Sequence, residues 1–108
     1  MTEHNTLQGL LILIAPPDLE DTLVDLLLQQ KEISGFTTSH VSGHGSSHGN
    51  GAVALSLVEQ VTGRQKRVQF MLHASLSDLQ NLVNAFKARF SKTDIHYILM
   101  PIAEMQTI

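Results

Sequence analysis

The chain has 108 residues, 43% of them hydrophobic, which suits one domain with a substantial core. Its formal net charge is -3 with only 7 Lys+Arg, too few cations to neutralise a run of phosphates, so no nucleic-acid partner is expected. It contains no cysteine, which excludes disulfides, thiolate zinc sites, iron–sulfur clusters and cysteine nucleophiles.

The chain starts Met1-Thr-Glu-His-Asn, without a basic stretch ahead of the apolar run, and Leu10–Ala15 is too short for a signal core or a membrane span. A cytoplasmic protein without membrane insertion is expected. Leu10–Ile14 is apolar at consecutive positions between Gly9 and Pro16-Pro17, the pattern of a strand covered on both faces. Pro17 suits a first helical position, and Asp18, Glu20 and Asp21 favour a helix N-terminus. Leu19, Leu23, Leu26 and Leu27 then mark one face of a helix ending near Lys31. After Gly35, Phe36–Val41 alternates with threonine and serine as a second strand.

The next segment, His40-Val-Ser-Gly-His44-Gly-Ser-Ser-His48-Gly-Asn-Gly51, places three histidines at a spacing of four among glycines. Imidazole is the commonest ligand for borderline metals, and glycine lets a segment bend around an ion. Residues 42–51 are therefore read as a flexible loop. Residues 52–61 fit either a continued strand or a short helix, the latter through Ser56 and Glu59 at capping-box spacing and Gly63 as a stop.

Arg64, Lys66 and Arg67 form the one basic cluster, either an anion contact at a cleft or a solvated lead into the third strand, Val68–His73. Ser75 with Asp78 opens a second helix whose apolar face is Leu79, Leu82, Val83, Phe86 and Phe90, with Lys87, Arg89 and Lys92 near its end. Ile95–Met100 is the last strand, stopped by Pro101; Met71 and Met100 fit core positions. Residues 1–6 and 103–108 are tails of a single domain spanning 1–108.

Strand–helix–strand, loop, strand–helix–strand is the order of an α+β ferredoxin-like split βαβ sandwich, with two helices on one face of an antiparallel sheet. Two helices cover one face only, yet the first strand is apolar on both. Another copy of the chain is the simplest cover for the second face.

The chain resembles the PII-like superfamily, which includes nitrogen-regulatory PII and the CutA proteins, and within it a small proteobacterial family of unknown function associated with heavy-metal efflux. The residues that carry the likeness are Ala15-Pro16-Pro17, Leu19-Glu-Asp-Thr-Leu23, Ile33-Ser-Gly-Phe-Thr-Thr, Val41-Ser-Gly-His-Gly45 and Glu59-Gln-Val-Thr-Gly-Arg-Gln-Lys-Arg67. The resemblance implies a homotrimer, a regulatory loop after the second strand, and a cleft between subunits lined by Gly43 and Gly45, with Arg64 and Arg67 as anion contacts. PII holds ATP there with a glycine-rich loop and C-terminal arginines. Here Ser91-Lys-Thr-Asp94 has no glycine, and no Lys or Arg follows Tyr97. ATP or ADP is thus disfavoured as the cofactor.

His40 and His44 on one strand lie about 13 Å apart at ~3.3 Å per residue, too far to share one ion with metal–nitrogen bonds of about 2 Å. A shared site needs a folded-back loop or several subunits; otherwise the segment is a solvated loop that binds nothing. His73 and His96 are not assigned as ligands. No nucleophile elbow, zinc-protease helix or acylphosphatase-type arginine loop is present in the sequence. The expected function is a non-enzymatic, trimeric sensor that binds zinc, nickel or copper through His40, His44 or His48 and signals to a partner protein such as a transporter. The alternatives are an adenine-nucleotide regulator and a ligand-free adaptor.

Overall fold

A computed structural model describes residues 7–45 and 64–108. Strand β1 (Gln8–Ala15) leads through a 3-10 turn (Pro17–Leu19) into helix α1 (Glu20–Leu28). Strands β2 (Phe36–His44) and β3 (Arg64–Ser75) follow, then helix α2 (Leu76–Arg89) and strand β4 (His96–Ile102). The sheet has the order β2-β3-β1-β4 with every neighbouring pair antiparallel. This is the expected ferredoxin-like arrangement.

The period-2 pleat sorts each strand into two faces. Leu11, Leu13 and Ala15 of β1 and Val68, Phe70, Leu72 and Ala74 of β3 are buried toward the helices. Leu23 and Leu27 of α1, with Leu79, Leu82, Val83 and Phe86 of α2, complete that core. Full burial of one such side chain stabilises by about 1.5–3 kcal/mol. Gly9 lets α2 approach closely: a Cβ there would lie 2.8 Å from Leu76 Cδ1 and 3.3 Å from Leu76 Cα. Ser75 caps α2 as expected, its Oγ accepting from the Asp78 backbone N–H at 3.1 Å.

Several boundaries differ from the sequence reading. Helix α1 stops at Leu28, and Gln29 and Gln30 close it with N–H bonds to Leu26 and Leu27 carbonyls. The segment 42–51 is not all loop. Ser42, Gly43 and His44 pair with Lys66, Gln65 and Arg64, so β2 and β3 run on as a two-stranded arm past the end of β1. Polar residues occupy this arm because no helix covers it, which hides it from a hydrophobicity pattern. Strand β4 passes through Pro101, tolerated because β4 is an edge strand. The expectations for residues 46–51, including His48, and for 52–61 lie outside the described residues. No helix of the described residues is long and apolar enough to cross a membrane.

Met71 and Met100 are not core residues. They are 43% and 37% exposed on the face without helices, together with Ile98 at 50%. Leu10, Ile12 and Ile14 of β1 share that face by alternation and are only partly buried. The open face is thus apolar across β3, β1 and β4.

Candidate functional site

The arm and the open face meet at one corner, where β1 ends. Arg67 is the first β3 residue beyond the β1 pairing, which finishes at Ala15 opposite Val68. Its side chain is 9% exposed. The guanidinium donates to Asp94 Oδ2 at 2.9 Å, to the Lys66 carbonyl at 2.9 Å, and to Gln65 Oε1. Asp94 holds φ at 62°, a left-handed conformation that aspartate adopts more readily than most residues. Its other oxygen, Oδ1, lies 3.1 Å from His96 Nε2. A chain of polar contacts therefore runs Gln65–Arg67–Asp94–His96 around the end of β1.

Beside this chain opens a cleft of about 390 Å³, lined by Ile14, Gly43, His44, Gly45, Gln65, Arg67 and His96. Gly45, at φ 143°, turns the chain out of β2 in a conformation that a side chain would strain. Four of the sequence candidates, Gly43, His44, Gly45 and Arg67, come together here. Arg67 is not a solvated lead into a strand: it is buried and paired. Arg64 is exposed, opposite His44 at the arm's far end.

His40 stands apart from this corner. It faces the helix side opposite Val68, with Nε2 3.0 Å from Glu20 Oε1 at the start of α1. His40 and His44 lie four positions apart on one continuous strand, so they do not share an ion within one chain. Among the described residues no three His, Asp or Glu side chains converge on a metal-sized site. Sequence reasoning did not select Gln65 or Asp94, and it weighed His96 without assigning it as a ligand. Asp94 lies 27 positions from Arg67, and the only local hint was its place in a short polar turn.

A family model described as "Protein of unknown function (DUF3240)" matches residues 5–108. The chain belongs to the DUF3240 family. The crystal structure of a DUF3240 family protein from Shewanella baltica OS155 is similar to it, with a TM-score of 0.73 and 23% sequence identity over 94% of this chain and 96% of that one. At that identity the likeness bears on the fold of this DUF3240 chain. No curated protein matches the sequence.

Proposed function

We propose that this DUF3240 chain is a non-enzymatic, PII-like sensor that works in the cytoplasm as a homotrimer and passes a ligand signal to a partner protein. The observation that carries the reading is the apolar open face. Ile98, Met71 and Met100 are exposed there, and three copies turning this face toward a common threefold axis would bury them. Association through that face would place the Arg67–Asp94–His96 corner at the rim between subunits, next to the segment that follows Gly45. A ligand held at that corner would change the surface offered to a partner.

The first ligand candidate is a divalent transition metal, zinc, nickel or copper. His44 and His48 are the favoured donors, because Glu20 already engages His40. A threefold arrangement gathers one histidine from each subunit without the in-strand separation that keeps His40 from His44. Sedimentation with and without zinc tests the proposal together with calorimetry on the native protein and a His44→Ala/His48→Ala pair. A trimer whose zinc heat disappears in the pair is expected. A folded monomer, or equal heats in both proteins, overturns it.

The second reading, an adenine-nucleotide regulator, draws support from one feature: a buried arginine beside Gly43 and Gly45 in an open cleft. A thermal shift with ATP or ADP that survives a chelator would select it over the metal.

A further inference from the structure

A second cavity lies away from the open face, on the helix-covered side, between the last turns of α2 and the start of β4. Its volume is about 300 Å³ and its floor is Leu13, Val83 and Phe86. Phe90 and Tyr97 form its walls. The chain has four Phe and one Tyr, so three of its five aromatic rings converge on this one space. Phe86 and Phe90 meet edge to face at 84°, with centroids 5.4 Å apart.

The lining carries two cations. Lys87 Nζ stands 5.2 Å from the Tyr97 ring centroid, and Lys92 lies in the connection to β4. Among the described residues neither lysine forms an ion pair. Asp94 lines the same cavity, but its two oxygens are engaged by Arg67 and His96 and leave the lysines unneutralised. Placement at a helix C-terminus accounts for Lys87 but not for Lys92, which lies beyond the helix. The connection is held in shape before any ligand arrives. Lys92 sits at φ 67° and Asp94 at φ 62°, and Thr93 Oγ1 donates to the Phe90 carbonyl at 2.5 Å. A left-handed lysine is uncommon, and such backbone strain is often found at binding sites.

We propose that this cavity binds a small aromatic carboxylate, its ring against Phe86, Phe90 and Tyr97 and its carboxylate between Lys87 and Lys92. Apolar walls with a few convergent charged groups are the usual make-up of a small-molecule site, and the volume lies at the small end of such sites, enough for a single ring rather than a nucleotide. Stacked and edge-on ring contacts favour an aromatic body over an aliphatic one. The site uses residues of one chain, so it does not depend on trimer formation.

The test is an amide NMR titration of the native protein with phenylacetate, alongside phenethylamine, which carries a similar ring with the opposite charge. Phenylacetate is expected to saturate shifts confined to residues 83–97 with a Kd of about 1 mM or tighter. Phenethylamine is expected to leave them unchanged. Lys92→Gln, at an exposed position, is expected to weaken phenylacetate about fivefold while the rest of the spectrum stays in place. No saturable shift with phenylacetate, equal binding of phenethylamine, or shifts centred elsewhere would overturn the proposal. The two-probe comparison on native protein decides it even if the variant fails to fold.

Discussion

Arg67 and Asp94 join β3 to the connection ahead of β4 across the end of β1, with 2.9 Å between guanidinium and carboxylate. The strands they serve are not neighbours, because β1 lies between them. The two partners are unequally buried, 9% against 21% side-chain exposure. Removing the carboxylate strands the more buried charge, whereas removing the guanidinium frees an acid closer to water. Asp94→Ala is therefore expected to lower stability by about 3 kcal/mol and Arg67→Met by about 2 kcal/mol. Urea unfolding of both single variants and the double gives the coupling. Additive losses in the double variant would mean that the contact does not hold the corner together.

Gly9 sets the distance between β1 and α2. A methyl group there meets a side-chain carbon at 2.8 Å and the Leu76 Cα at 3.3 Å. The leucine tip can swing aside but the backbone cannot follow freely. Gly9→Ala is expected to cost about 1–2 kcal/mol, seen as a Tm several degrees lower in calorimetry.

Ser75 ends β3 and caps α2 at once, opposite Gln8 in the sheet and bonded to the Asp78 N–H. Ser75→Ala removes the capping oxygen but leaves the strand intact. A loss of about 1 kcal/mol is expected, as a lower denaturation midpoint with an unchanged m-value.

Ile98 lies on the apolar face, on β4 opposite Ile12 of β1, and is half exposed in one chain. Ile98→Asp keeps the helix-side core untouched and places a charge where a second copy would sit. The native protein is expected to sediment as a trimer and the variant as an 11.9 kDa species with an unchanged far-UV spectrum. A trimer in both would place the subunit contact elsewhere, and a monomer in both would overturn the assembly.

The helices were legible from apolar residues recurring at 3.6, β1 from its unbroken apolar run between Gly9 and Pro16-Pro17, and the cap at Ser75 from a local motif. The arm was not. Arg64–Arg67 and Ser42–His44 are polar or glycine-rich, and their strand character comes from pairing with each other rather than from burial. Pro101 looked like a stop because a proline breaks an interior strand, and only the strand order shows that β4 lies outermost. At the site, Gly43, His44, Gly45 and Arg67 were nominated by residue type and position. Their companion Asp94 was not, because the tie between them closes only in three dimensions.

Pro101 also bears on how these chains can assemble. An outermost strand rich in Ile and Met is an inviting template for cross-β growth, but a proline interrupts the row of amide donors that an incoming strand would have to match. At the β4 edge, strand pairing with another copy is thereby disfavoured, and the apolar surface beside it is left as the place for that copy to sit.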